Sequence, residues 1–332
     1  MDLALAWAII IAFAVLAYAM LDGFDLGVGI LFPLFDDGAE KDRVINSIAP
    51  VWDGNETWLV LGGGGLFAVF PLAYSVVLTA FYAPVIAMLL ALVLRGVSME
   101  YRGKTQAFRP HWNAGFWLGS VTAAFSQGIM LGAFIQGIEV VDRSYGGGWF
   151  DWLTPFSLIC GAAIVTGYAL LGGCWVLMKA PGALAVKVRA WLPGFVIALL
   201  ALIVIVSSWT PFLDPRLSQR WFAMPNLLWL IPIPVLVAII TWRLLHAVRY
   251  GTDGKPFFWA QALFLVTYAG FGISTYPYIV PHSVTIWQAA APDSSLWFLL
   301  VGTLVLLPII LFYTAHSYWV FRGKVGDNAS YH

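Results

Sequence analysis

Asp53, Asn55 and Glu56 stand inside a stretch that otherwise has the composition of a membrane span, Asn46 to Pro71 (NSIAPVWDGNETWLVLGGGGLFAVFP). Trp52 and Trp58 flank them, and four glycines, Gly62 to Gly65, follow. A bare carboxylate in hydrocarbon costs at least about 2.5–3.5 kcal/mol. Two acids three residues apart in one span therefore need a reason. Asp22 and Asp25 form a second pair, also three apart and so on one helix face, in the run LDGFDLGVGILFPLF. Gly23, Gly27 and Gly29 are interleaved with them, and small residues let a neighbouring helix come close. Carboxylates inside a bundle and reachable from one side suit a proton or ion path. The alternative is that these residues cap helices or pair with Arg95.

Other reactive side chains are less telling. The five histidines are His111, His246, His282, His316 and His332. None has a partner at helical spacing in the middle of a span, so neither haem ligands nor a metal site is expected on this chain. Cys160 and Cys174 lie about 21 Å apart along a helix, at 1.5 Å per residue. They cannot bridge each other and lack metal-site spacing.

The elements that must position these groups follow from composition. The chain is 61% hydrophobic and 10% charged, against about 25% charged in soluble domains. That is an all-α integral membrane protein. Its zero net charge argues against a nucleic-acid partner. Apolar segments of spanning length predict nine transmembrane helices, at roughly 3–35, 46–71, 74–95, 113–139, 154–178, 191–210, 222–249, 256–280 and 294–321. Nine helices permit two four-helix bundles plus one peripheral helix. No basic leader with a cleavage site precedes the first run, so it reads as a retained helix. With only short connections, residues 1–332 read as a single polytopic domain.

Charge gives the orientation. Of the 17 Lys and Arg, only Arg143, Arg216 and Arg220 fall on even-numbered connections; the remaining 14 fall on odd ones or the tail. The positive-inside rule then sets the N-terminus outside and the C-terminus in the cytoplasm. Antiparallel packing of the first two spans sets Asp53 at the depth of Asp25, on the cytoplasmic side of the midplane. Pro50 either kinks the second span or marks its true start. Arg95, Glu100 and Arg102 cluster near the cytoplasmic face, where they are expected to meet Asp25 or the acidic loop DDGAEKD. Gln127 and Gln136, nine residues apart, point to opposite faces and predict interhelical hydrogen bonds. Two functions fit these residues by themselves: a proton- or ion-coupled secondary transporter and a structural scaffold.

Four segments carry a resemblance: FDLGVGIL, NSIAPVWDGNETWLVLGGGGLFAVFP, RGVSMEYR and STYPYIVP. Together they resemble subunit II of the cytochrome bd-type quinol oxidases, in particular the cyanide-insensitive branch, and the similarity runs essentially end to end. The resemblance implies a heterodimer, often with a very small single-helix extra subunit, in the bacterial cytoplasmic (inner) membrane. It implies that subunit I binds the haems (haems b, with haem d in part of the family) and oxidises ubiquinol or menaquinol, while subunit II carries no haem ligands. Oxygen is then reduced to water with cytoplasmic protons, giving a gradient without a pump. The implied proton path uses Asp53, with Asn55, Glu56 and Asp25 along it. An implied oxygen conduit passes Trp58, and an implied cytoplasmic-face ion cluster joins Asp25, Arg95 and Glu100. Some members carry a glutamine-type residue where Glu56 stands, which leaves Glu56 open as a second protonatable site.

Overall fold

The computed structural model describes residues 2–326; His332 lies outside the described residues. Fourteen helices follow one another: α1 (Leu3–Leu31), α2 (Ala39–Ile48), α3 (Trp52–Val69), α4 (Pro71–Ala80), α5 (Tyr82–Arg102), α6 (Arg109–Gln136), α7 (Pro155–Lys179), α8 (Gly182–Trp209), α9 (Pro215–Phe222), α10 (Asn226–Leu230), α11 (Pro232–Tyr250), α12 (Lys255–Thr275), α13 (Ile286–Ala289) and α14 (Asp293–Val320). Two short antiparallel hairpins interrupt them. One pairs β1 (Val140–Val141) with β2 (Ser144–Tyr145); the other pairs β3 (Tyr278–Val280) with β4 (Val284–Thr285).

Among the described residues, eight helices are long and apolar enough to cross a membrane: α1, α5, α6, α7, α8, α11, α12 and α14. The 18-residue α3 carries Asp53, Asn55, Glu56 and four glycines and falls outside that set. Several boundaries differ from the predicted ones. The first helix ends at Leu31, because Pro33 lies in the short 3₁₀ turn that follows. The stretch 46–71 breaks at Ala49–Val51, around Pro50, so the polar residues before it form the separate helix α2. The stretch 74–95 divides at Phe81 into α4 and α5. The segment 222–249 resolves into α10 and α11, with Pro232 at the start of the second.

The helices sort into two groups. In the first, α1 packs on α3 and α6, and α5 packs on α6; in the second, α7 packs on α8 and α12, and α11 on α8 and α12. α6 and α1 join the groups by packing on α7. α14 touches α1 and α3 and is otherwise largely open, with only Leu296 and Leu300 fully buried.

The contact between α1 and α7 is made by backbone. A Cβ placed on Gly27 would lie 1.7 Å from the carbonyl oxygen of Tyr168, and one on Gly172 would lie 2.3 Å from the carbonyl carbon of Gly27. Between these two helices, then, glycine is required by close approach rather than by backbone angle. The four-glycine run behaves differently. Gly62 and Gly65 meet Val15 and Ile11 at ordinary contact distances, while Gly63 and Gly64 face open space.

The charges sort by end. Asp42 of α2 accepts from Arg102 Nη1 at 2.5 Å and also from Arg109, and Lys187 donates to Asp36 and Glu40. Asp253 accepts from both Arg189 and Lys324. Burial pushes the Asp42 carboxyl up, but the hydrogen bonds from Arg109 and Arg102 outweigh it and hold the group below the usual carboxylate range. At the other end sit the hairpins, α4, α13 and the N-terminus of α1, where Trp7 Nε1 donates to the Leu296 carbonyl. The basic end and the hairpin end are thus the two faces of one helical slab.

Replacing Gly27 with valine is expected to destabilise the folded subunit by more than about 4 kcal/mol, since neither backbone can yield. Thermal unfolding of the purified complex checks this; an unchanged midpoint would mean that the α1–α7 contact is not what holds the two groups together.

Candidate functional site

Only one face of α3 can meet α1. Its buried residues, Asn55, Trp58, Gly62 and Val69, recur at helical spacing and form the stripe that packs on α1. Asn55 takes the inward position, and Asp53, two residues earlier and about 200° away around the helix, is exposed. The residue at the depth of Asp25 is therefore Asn55: its Nδ2 donates to Asp25 Oδ2 at 2.6 Å. The expected juxtaposition of Asp53 with Asp25 does not occur.

Asn55 also ties in α14. Tyr318 Oη donates to Asn55 Oδ1 at 2.8 Å, and Asn55 Nδ2 makes a second, longer contact of 3.5 Å to the Leu21 carbonyl. The Tyr318 ring is held edge-on against Phe24 and Trp175, which stack on each other at 4.2 Å between centroids.

One turn away lies the charged half of the site. Arg95 of α5 is fully buried. Its Nη1 donates to Asp22 Oδ1 at 2.7 Å and to Glu56 Oε1 at 3.0 Å, and its guanidinium lies 5.9 Å from the centre of the Trp52 ring. Desolvating a guanidinium is costly unless opposite charge meets it closely, and here carboxylates from α1 and α3 do so. Glu56 is the member that reaches outward, with 27% of its side chain exposed against none for Asp22 or Arg95. Arg95 Nε and Nη2, Asp22 Oδ2 and Asp25 Oδ1 have no hydrogen-bond partner among the described residues. The site thus has unused donors and acceptors in its interior.

Glu100 is not part of this cluster. It is exposed and pairs with Lys104 at 3.8 Å. The predicted grouping of Asp25, Arg95 and Glu100 is corrected to Asp22, Glu56 and Arg95, with Asp25 alongside through Asn55. Glu100 follows Arg95 by five residues, about 140° around the helix, so the two side chains diverge. Arg102 meets Asp42, the last residue of the acidic loop DDGAEKD, which is one of the two partners expected for it.

A further polar chain extends from Tyr18, one helical turn before Asp22. Gln127 Nε2 donates to Tyr18 Oη at 2.9 Å, and Tyr168 Oη donates to Gln127 Oε1 at 2.7 Å. Gln136 donates to Thr154 instead, so the two glutamines bridge different neighbours, as their spacing predicts. Trp58 is buried beside Ala14 and Tyr18, edge-on to Phe13, with no partner for its Nε1 among the described residues. Sequence reasoning singled out Asp25, Asn55, Glu56 and Arg95, but not Tyr318, Tyr18 or Tyr168 as members of the network. Tyr18 had a signal, its one-turn spacing from Asp22; Tyr318 had none.

The four described histidines are not arranged as a pair of haem ligands. His111, His246 and His316 are exposed and lie against aromatic rings of their own or a neighbouring turn. His282 is in the turn of the β3–β4 hairpin. No two of them are presented to a common interior space that could take axial ligation.

Fold and site together define a multi-pass membrane protein with an ion cluster buried between its helices. The chain belongs to the cytochrome bd terminal oxidase subunit II family, whose model matches residues 3–321. It is 28% identical over 356 residues to the cytochrome bd-I ubiquinol oxidase subunit 2 of Escherichia coli (strain K12), covering 96% of this chain and 94% of that one. It is also 28% identical over 331 residues to the cytochrome bd ubiquinol oxidase subunit 2 of Bacillus subtilis (strain 168), covering 96% of each. Its fold matches a chain of the bd oxidase from Geobacillus thermodenitrificans with a TM-score of 0.75, at 18% identity, over 97% of this chain and 99% of that one. The chain is therefore a subunit of a respiratory terminal oxidase of the bacterial inner membrane, and the transporter reading falls away.

Removing the cation tests how the site is held. Arg95→Met leaves Asp22 buried without its partner and is expected to cost about 3–5 kcal/mol, with Arg95→Lys falling between it and the unaltered chain. Denaturation of the purified complex measures both; a cost below about 1 kcal/mol would mean that the carboxylates are already neutral.

Proposed function

We propose that this chain is the haem-free subunit of a quinol oxidase that reduces oxygen to water, and that it conducts protons from the cytoplasm towards haems bound by a partner subunit I. The haems, of b type with or without d, supply the electrons for oxygen reduction. Ubiquinol or menaquinol is the reductant, as the relatives' description as ubiquinol oxidase subunits supports. A small single-helix subunit and bound quinone or lipid complete the assembly. The chain acts as one polytopic domain of nine spans, α3 being the ninth. The basic end is cytoplasmic and the N-terminus outside, and α14 stands peripheral to two four-helix bundles.

The observation that carries the proton reading is the position of Glu56. It is half-buried, bonded inward to Arg95, and one turn from the exposed Asp53 on the same side of α3. A proton taken up at Asp53 has Glu56 as the next carboxylate inward, and beyond it lie Asp22 and the Asn55–Asp25 pair. Each oxygen reduced consumes protons at a buried centre, and linked carboxylates are a suitable carrier through a medium that excludes ions. Trp58 fills the contact between α1 and α3 just inside this route, which suits it to govern the passage of a small apolar molecule such as oxygen.

Asp53→Asn is expected to abolish most quinol oxidase turnover while the reduced-minus-oxidised haem spectrum of the complex stays intact. Full turnover would remove Asp53 from the path, and loss of haem would make its role one of assembly. Trp58→Ala is expected to change the rate of oxygen binding after flash photolysis of the carbon monoxide complex; unaltered kinetics would count against the conduit.

A further inference from the structure

The two buried aspartates of α1 are both fully buried and three residues apart, yet their partners differ in kind. Asp22 is bonded to a guanidinium at 2.7 Å. Its neighbour Tyr18 already accepts from Gln127, which accepts from Tyr168, so the hydroxyl hydrogen of Tyr18 remains free to turn towards Asp22, one turn on. The guanidinium suits Asp22 to a fixed anion, although its Oδ2, like Asp25 Oδ1, has no partner among the described residues. Asp25 is bonded to a neutral amide, and its Oδ1 has no partner among the described residues. That oxygen is where a proton can come and go without breaking an ion pair.

An amide can face a carboxyl group either way. With Nδ2 towards Asp25 it favours the carboxylate; with Oδ1 towards Asp25 it accepts from the protonated acid. Tyr318 Oη donates to Asn55 Oδ1 and so selects the first orientation, helped only by the long contact of Nδ2 to Leu21. The Tyr318 ring cannot easily leave, since Phe24 and Trp175 hold it. The charged and titratable groups acting on Asp25 are Asp22 from its own helix, Glu56 from α3, Arg95 from α5 and Tyr318 from α14. From α7 and α12, Trp175 and Phe257 pack on Phe24, the residue before Asp25, and the titratable Tyr168 of α7 lies against Gly23.

We propose that Tyr318 is a positioning residue for proton transfer: through the Asn55 amide it sets Asp25, and not Asp22, as the carboxylate of α1 that takes up and releases the proton. The assignment rests on the proton-conducting function proposed above. It also gives α14, otherwise a peripheral helix, a direct hold on the proton path.

The test is the pH dependence of oxygen consumption by the purified oxidase complex. A carrier must be protonated to deliver, so turnover falls on the alkaline side as it empties. Tyr318→Phe frees the amide to turn and accept from protonated Asp25, so the alkaline limb is expected to move to higher pH by on the order of one unit, with haem content unchanged. Asn55→Leu removes the donor outright and is expected to move the limb the same way, which keeps the test available if Tyr318→Phe does not assemble. A limb that stays in place in whichever of these variants assembles overturns the positioning role. So does a pH-independent loss of turnover, which a purely structural role would give. Asp25→Asn separates the two levels: if it abolishes the limb while Tyr318→Phe leaves it unmoved, only the positioning role fails; if the limb survives Asp25→Asn, proton carriage by Asp25 itself fails.

Discussion

One desolvated guanidinium organises the interior of this subunit. Arg95 has no exposed surface, and water cannot stabilise it. It is tolerable in a membrane helix because α1 and α3 each bring a carboxylate to within 3.0 Å of the same nitrogen. The cost of leaving any of these charges alone is several kcal/mol, so the three helices are constrained together at one depth. The arrangement is also asymmetric. Asp22 is sealed in, Glu56 reaches the surface, and Asp25 is left to an amide. Four polar atoms of the site's aspartates and arginine have no partner among the described residues, and the proton transfer proposed above would use that spare capacity.

The packing around the ion cluster fixes its geometry. α1 lies backbone to backbone on α7 at Gly27 and Gly172, which leaves α1 little freedom to rotate and therefore fixes where Asp22 and Asp25 point. On the far side, the stacked pair Phe24 and Trp175 takes the edge of Tyr318 and so ties α14 to α1 and α7. Small residues and aromatic residues thus set the positions, and the polar network occupies the space between them. The same division appears at the basic end, where α2 is held by Asp42 to Arg102 and Arg109 and by Glu40 to Lys187.

The chain belongs to the terminal oxidase subunit II family, and its described histidines and buried acids are placed very differently. These histidines lie on the outside or in a hairpin turn, while Asp22 and Asp25 are buried between helices. Under the function proposed above, oxygen chemistry belongs to another subunit and this one contributes a proton-conducting, oxygen-admitting wall. The exposed line of Asp53, Val60 and Phe67 on α3 is compatible with such an arrangement, since a carboxylate left facing lipid would be costly.

The sequence by itself determined the class of the protein, because apolar composition and the 14-to-3 split of basic residues are sums over the whole chain and tolerate local error. It also determined which residue types matter, because acids, an amide and an arginine in hydrophobic runs are rare enough to stand out singly. It did not determine the partners. Whether Asp53 or Asn55 meets Asp25 turns on how α3 is rotated about its axis, since about 200° separate the two residues. Whether Arg95 joins Glu100 or Glu56 turns on which face of α5 meets α3. Tyr318 looks like any of the 13 tyrosines until α14 is laid against α1, 263 residues away in sequence from Asn55. Those choices belong to the tertiary structure, because they depend on helix rotation and close approach, and hydrophobicity along a chain carries neither.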